Sequence, residues 1–146
     1  MLNLQNFANA EEKTFEAALY QENAMIPMRD GVKLATDIYR PAVNGVFVEG
    51  KFPMVFARTP YNKRTERFIA EAKYFARQGY VAVLQDLRGC YKSEGIFVKY
   101  LNEPEDGYDS IEWLAKLPFT EGKIGCGGPP TAPTFRPTPP NCGRLT

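Results

Sequence analysis

The pattern of hydrophobic and polar positions begins with a period of two. Residues 22–28 and 32–39 alternate in this way, which predicts two strands. Asp30-Gly31 between them predicts a hairpin turn of type I′, in which both central residues have positive φ. The second strand alternates up to Arg40-Pro41, which should end it. We therefore expect an antiparallel edge strand with one face in water.

The segment before this hairpin has helical spacing instead. Phe15, Ala18 and Leu19 lie three to four residues apart, behind the charged residues 11–13. This spacing predicts a short helix on the surface of the protein, within residues 1–21.

Strands and helices alternate after a loop predicted at residues 42–51. Three short apolar runs suit strands buried on both faces: residues 52–57, 80–84 and 123–126. Two stretches with helical periodicity lie between these runs: residues 66–78 and 104–116. This order predicts an α/β fold, with a mainly parallel sheet and right-handed crossovers after the antiparallel hairpin.

The pattern is lost after Gly127-Gly128. Residues 129–146 contain six prolines, and each proline inside a helix costs about 3 kcal/mol. We therefore predict three regions: a surface segment at residues 1–21, one α/β domain at residues 22–128, and an irregular, disordered tail at residues 129–146.

The composition excludes several classes of function and adds little about the fold. The net charge of +1, with acids and bases interspersed, gives no electrostatic basis for binding nucleic acid. No apolar stretch approaches the roughly 18 residues that a membrane span needs, and no signal peptide is recognisable. The three cysteines have no CxxC spacing, which argues against zinc and against a disulfide framework. These features favour a cytoplasmic protein.

Five motifs occur in one order along the chain. They are PMRDGVKLATDIYRP at residues 27–41, RTPYNK at 58–63, QDLRG and SEG within 85–95, EDGYD and IEWL within 105–114, and GKIG at 122–125. Each motif is weak alone, but five in order are specific. They resemble the N-terminal part of the family of X-Pro dipeptidyl-peptidases, cocaine esterases and α-amino-acid ester hydrolases. The resemblance implies an incomplete α/β-hydrolase fold, a small-molecule ester or peptide substrate, and no cofactor or metal.

The resemblance also indicates where a catalytic site would form. In the family, a tyrosine in the RTPYNK motif donates its hydroxyl to the oxyanion hole, which makes Tyr61 the candidate donor. The GKIG strand leads to a Gly-x-Ser-Tyr-x-Gly elbow, which would place the nucleophile near Pro130. The chain has no serine there, because its two serines are Ser93 in a loop and Ser110 in a helix. It also has no histidine, so we expect a truncated, inactive member.

One hypothesis explains both the missing elbow and the prolines. If one nucleotide were lost near the Gly125 codon, each proline codon would overlap a codon for Ala, Ser, Thr or Pro in the neighbouring frame. That frame permits Met-Arg-Gly-Thr-Ser-Tyr-Gly followed by Ala-His-Val-Gln-Ala-Asp-Ala-Ala-Lys-Leu, which is an elbow and then an alanine-rich helix. The alternative is a natural proline-rich tail that is disordered and harmless. A second hypothesis for the function is a non-catalytic interaction module that binds a partner through this tail, in which residues 136–140 are of the proline-rich ligand type.

Other polar residues have structural explanations. Asp86 and Arg88 lie at a strand end, where α/β sheets bind ligands, but we interpret them as a pair that braces the loop before Gly89. Trp113 is expected to pack against the core, and Cys126 to be an idle thiol because the chain offers it no base. Four acids are expected to interact with the dipole of the second helix rather than with a metal: Glu103, Glu105, Asp106 and Asp109.

Overall fold

One mixed sheet carries every strand in the part of the chain that the computed structural model describes, residues 15–126. The elements are β1 (Glu16–Pro27), β2 (Lys33–Val43), β3 (Val46–Phe47), β4 (Phe52–Thr59), α1 (Glu66–Arg77), β5 (Val81–Asp86), α2 (Glu103–Ala115) and β6 (Thr120–Cys126). The strand order is β1-β2-β5-β4-β6, and β3 pairs with β2. Strands β5, β4 and β6 run parallel, whereas β2 is antiparallel to both β1 and β5. The α/β fold class predicted from the sequence is confirmed.

The first helix forms where its periodicity predicts it. Phe68, Ala72 and Ala76 are buried along one stripe of α1, at the spacing of an amphipathic helix. Thr65 caps the helix start, because its side chain accepts a hydrogen bond from the N–H of Phe68. Gly79 follows the helix end with φ of +90°, a conformation that favours glycine.

The helices cover opposite faces of the sheet. Alternate residues of β5 point to the two sides, so Val81 and Val83 join one apolar cluster while Ala82 and Leu84 join the other. The α2 cluster includes these buried side chains: Ile26, Leu34, Ile38, Met54, Phe56, Ile111 and Leu114. The α1 cluster is smaller and includes Tyr39, Phe68, Ala72 and Ala76. In residues 15–126, no helix has the length and apolar character that crossing a membrane requires.

The helix predicted near Phe15 and Leu19 is wrong, because β1 begins at Glu16. Its ladder with β2 runs from Glu16 opposite Ala42 to Pro27 opposite Lys33, with irregular register on both sides of Gln21. Pairing with β2 satisfies the backbone of this segment, and this tertiary contact outweighs a weak helical spacing. The rest of the predicted surface segment, residues 1–14, lies outside the described residues.

Strand β2 is also not the exposed edge that its alternation predicts. It lies between β1 and β5, and every residue from Leu34 to Tyr39 is buried. The polar face is buried because α1 covers it, which a strand pattern by itself does not reveal. The strand also continues past Pro41, whose carbonyl accepts a hydrogen bond from the N–H of Val48 at 3.0 Å.

The two tight turns near β2 differ in type from the sequence-based expectation. At Asp30-Gly31 only the glycine has positive φ, +87°, and its N–H donates to the carbonyl of Met28 at 2.9 Å. This geometry is a type I turn followed by a left-handed glycine, so the predicted type I′ turn is wrong here. The type I′ signature occurs instead within the predicted loop, at Asn44-Gly45, with φ of +52° and +74° between β2 and β3.

Replacing Gly89 with alanine is expected to destabilise the protein by about 2–5 kcal/mol, from left-handed strain together with overpacking. Gly89 has φ of +71°, and an added Cβ would lie 2.1 Å from the backbone nitrogen of Phe97. The matched control is Gly122→Ala, at φ of +81° with no atom within 4 Å of the added Cβ, which should cost only about 1–2 kcal/mol. Urea unfolding of both variants measures the difference, and equal costs would contradict the close approach at Gly89.

Candidate active site

Tyr61, the residue predicted to donate to an oxyanion, lies in the loop that joins β4 to α1. Its N–H donates to Oγ1 of Thr59, the last residue of β4, at 2.9 Å. The side chain is well exposed, at 60% for the residue, so most of the phenol can be reached from solvent. Its role as a hydrogen-bond donor to substrate stays a prediction.

The end of β6 approaches this loop. Because β4 pairs in parallel with both β5 and β6, the carboxyl ends of the three strands share one edge of the sheet. The last residue of β6, Cys126, is level with Phe56, three residues before β4 ends. The predicted nucleophile position near Pro130 lies outside the described residues.

Asp86, at the end of β5, faces the α1 side of the sheet and holds the Tyr61 loop. Its carboxylate accepts hydrogen bonds from the backbone N–H of Lys63 at 2.9 Å and from Lys63 Nζ at 3.0 Å. The side chains of both residues are only 1% exposed. Asp37 of β2 adds a second buried carboxylate, 3.8 Å from Lys63 Nζ. The sequence offered no sign of this lysine, since its burial depends on carboxylates from two distant strands.

Arg88 faces the other side, so the predicted Asp86–Arg88 pair is wrong. Its guanidinium donates to both oxygens of Asp106 on α2, at 2.9 and 2.6 Å, and to Asp30 in the first hairpin turn at 2.7 Å. These hydrogen bonds raise the pKa of Arg88 and lower the pKa of Asp30. Arg88 therefore joins the loop after β5 to α2 and to the hairpin.

The four acids near the start of α2 do not converge on one point. Asp106 is buried against Arg88, and Asp109 binds Arg29 at 2.8 Å. The hydrogen bonds from Arg29 lower the pKa of Asp109. Glu103 and Glu105 lie in the first turn of the helix, where a negative charge favours the dipole. Within residues 15–126, no group of three or more His, Cys, Asp or Glu residues is arranged to hold a metal.

A second buried polar network lies on the α2 side of β5 and was not foreseen from the sequence. The side-chain oxygen of Gln85 accepts from Arg58 Nε at 2.9 Å, and its nitrogen donates to Ser110 Oγ and to Thr36 Oγ1, each at 3.0 Å. A glutamine directly after the apolar run at residues 80–84 is the one signal that could have revealed it. The network makes Ser110 a structural residue.

The other serine, the tryptophan and two of the cysteines lie at positions that belong to the folded framework. Ser93 donates to the carbonyl of Asp86 at 2.6 Å and accepts from the N–H of Ala35 at 2.8 Å, so its hydroxyl joins the ends of β5 and β2. Trp113 packs against the larger apolar cluster, as predicted. Burial raises the pKa of the Cys90 thiol. Cys126 is half-buried at the end of β6.

A surface cleft of about 340 Å³ lies beside the Tyr61 loop. Its lining residues are Asn62, Lys63, Arg64, Asp86, Tyr91 and Lys92. The residues around this cleft are of charged, amide and tyrosine types, and the apolar parts of their side chains form most of its surface. The cleft and the Tyr61 loop lie together at the carboxyl edge of the sheet, in the part of the chain from 15 to 126.

Comparisons with known proteins show the family of the chain. The sequence model of the X-Pro dipeptidyl-peptidase (S15) family matches residues 30–130, which include the Tyr61 loop and all of β6. The chain belongs to the S15 family. The cocaine esterase of Rhodococcus sp. (strain MB1 Bresler) is 37% identical to it over 111 residues, covering 73% of this chain and 18% of the esterase.

Solved structures of similar proteins extend the S15 assignment to the fold. An α-amino acid ester hydrolase superposes with a TM-score of 0.60 at 36% identity, over 82% of this chain and 22% of the hydrolase. An aminopeptidase from a marine sediment Thaumarchaeota archaeon gives a TM-score of 0.60 at 34% identity, over 81% of this chain and 22% of the aminopeptidase. The chain thus spans about a fifth of the length of these relatives.

Proposed function

We propose that the chain derives from a serine hydrolase that cleaves acyl ester or X-Pro amide bonds in small-molecule or peptide substrates. In this proposal, residues 22–128 are the N-terminal part of its α/β-hydrolase domain. The observation that carries it is the Tyr61 loop beside the end of β6, in a chain of the S15 family. The relatives named above, an esterase, an ester hydrolase and an aminopeptidase, all carry names for hydrolysis at an acyl carbon.

The strand register supports a role for Tyr61 as the oxyanion donor. Strands β4 and β6 pair Met54 with Ile124 and Phe56 with Cys126, at a constant offset. The end of β6 and the Tyr61 loop therefore both lie at the carboxyl edge of the sheet. A nucleophile in the slot now held by Pro130 would then attack a carbonyl within reach of the Tyr61 hydroxyl.

We further propose that residues 1–146 do not catalyse this reaction. No serine follows β6 in the sequence, and the chain contains no histidine that could act as the general base. Tyr61 would then keep an ancestral position without an acyl-enzyme to stabilise. In this proposal the proline-rich residues 129–146 are the product of a lost nucleotide near the Gly125 codon.

The coding DNA tests this proposal directly. Adding one nucleotide near the Gly125 codon is expected to open a frame that encodes a serine elbow and, further on, the aspartate and histidine of a triad. Its product should hydrolyse p-nitrophenyl esters or X-Pro p-nitroanilides, and Tyr61→Phe should lower kcat about 10²- to 10³-fold. Adding two nucleotides is the matched control and should give no activity. A restored frame without an elbow would overturn the proposed origin of the tail.

A further inference from the structure

Lys63 is a charged residue in the interior of the protein, two positions after Tyr61. Its side chain is 1% exposed, and it is among the largest fully buried side chains of residues 15–126. Burying an ammonium group is costly unless it is paired and hydrogen-bonded. The contacts that compensate for this cost therefore indicate what the lysine does.

Lys63 is held at both its backbone and its side chain by one carboxylate. Asp86 Oδ1 accepts from the backbone N–H of Lys63 at 2.9 Å, and Asp86 Oδ2 accepts from its Nζ at 3.0 Å. Nζ also donates to Asn23 Oδ1 on β1 at 2.8 Å. A single residue of the loop is thereby fixed to the end of β5 and to β1.

The charges around Lys63 are balanced by a neighbour in the same loop. Asp37 lies 3.8 Å from Lys63 Nζ and accepts from Arg64 Nε at 3.1 Å, so two cations face two buried carboxylates. Arg64 also binds the exposed Glu22. If Lys63 only stabilised the fold, the balance of charge between the two cations and the two carboxylates would be sufficient. The hydrogen bond from the Lys63 backbone is an additional feature, because it restrains the path of the loop itself.

Tyr61 lies between two such restraints. On one side its N–H donates to Thr59 Oγ1 at 2.9 Å, and on the other Lys63 is bound to Asp86. Asn62 between them has φ of +70°, and its side chain accepts from the N–H of Arg64 at 3.0 Å. The loop backbone is thus fixed on both sides of a side chain that is itself exposed.

We propose that Lys63 is a positioning residue, which through Asp86 holds the Tyr61 backbone in the orientation that an oxyanion donor needs. This inference rests on the proposed function, in which Tyr61 donates to the substrate. Such donors act by preorganisation and must be held to within about 0.5 Å of the productive geometry. An exposed loop residue does not reach that precision by itself, and the buried lysine supplies the rigid anchor.

The test measures the mobility of the loop by ¹⁵N relaxation in the 146-residue chain. In the natural sequence, the backbone order parameters of residues 61–63 should be close to the rigid value of about 0.85. In the double variant Lys63→Met/Asp86→Leu, they should fall below about 0.6, while those of α1 and β5 stay unchanged. The double variant removes both partners, so Asp86 does not remain as an unpaired buried charge. Lys92→Met, which removes a lysine from the same cleft, is the control and should change nothing.

Each result of this experiment is decisive. Unchanged order at residues 61–63, or a uniform loss of order across the chain, would overturn the positioning role. If the double variant does not fold, Asn23→Gly decides by the same readout, because it removes one hydrogen bond from Lys63 Nζ, suits the positive φ of that position and keeps the Lys63–Asp86 pair. Loop order is measured without substrate, so its outcome is separate from the activity of the frame-restored product, which tests the proposed function.

Discussion

The purified 146-residue chain is expected to release p-nitrophenol from p-nitrophenyl acetate no faster than buffer does. In a serine hydrolase, the nucleophile and the base acting together raise kcat by a factor of about 10⁶. This chain contains no histidine, and each of its two serines is engaged in structural hydrogen bonds. With neither partner present, no acyl-enzyme is expected to form.

The same preparation of Tyr61→Phe distinguishes true turnover from contamination. A rate carried by a contaminating esterase is unaffected by this substitution and separates from the chain on a second column. A rate that follows the chain through two columns and falls in Tyr61→Phe would show that the chain is active, and the proposal of an inactive product would be wrong.

Replacing Arg88 with methionine is expected to destabilise the protein by about 3–5 kcal/mol, because it leaves a buried carboxylate without its cation. Asp106 is 3% exposed, and Arg88 donates to both of its oxygens. Total stabilities of domains are about 5–15 kcal/mol, so this single change removes a large share. Urea unfolding followed by circular dichroism measures it.

Two further variants test whether the stability lost in Arg88→Met comes from the unpaired carboxylate of Asp106. Arg67→Met breaks an exposed pair with Glu71 one helical turn away, and should cost only about 0.3–0.5 kcal/mol. Combining Arg88→Met with Asp106→Leu removes the stranded charge and should recover most of the loss. If Arg88→Met costs no more than Arg67→Met, the buried pair does not stabilise the fold.

The elements that the sequence predicted well are those whose pattern is local. The stripe of Phe68, Ala72 and Ala76, followed by Gly79, contains the information for α1 and its end. Residues 16–21 form a strand only because β2 is available as a partner, and no local pattern encodes that. The sequence predicts where the turn at Asp30-Gly31 lies. The strand ladder around this turn determines its type.

In the candidate site, too, one part could be predicted from the sequence and another part could not. The RTPYNK motif locates Tyr61, because a motif can be read without knowledge of the fold. The partners that hold it are not readable, since Lys63 is buried by carboxylates that lie 26 positions before it and 23 positions after it, Asp37 and Asp86. Adjacent residues of one strand, Gln85 and Asp86, also serve separate networks on opposite faces of the sheet.

The pairing of β4 with β6 has a consequence during synthesis of the chain. Met54 of β4 meets Ile124 of β6, 70 positions later, whereas Pro27 and Lys33 close the first hairpin across six. At translation rates of about 5–20 residues per second, the ribosome adds β6 several seconds after β4 has been made. Until then β4 presents an unpaired edge, the feature through which nascent chains associate wrongly. During the wait for β6, this edge of β4 can therefore pair with a neighbouring chain instead.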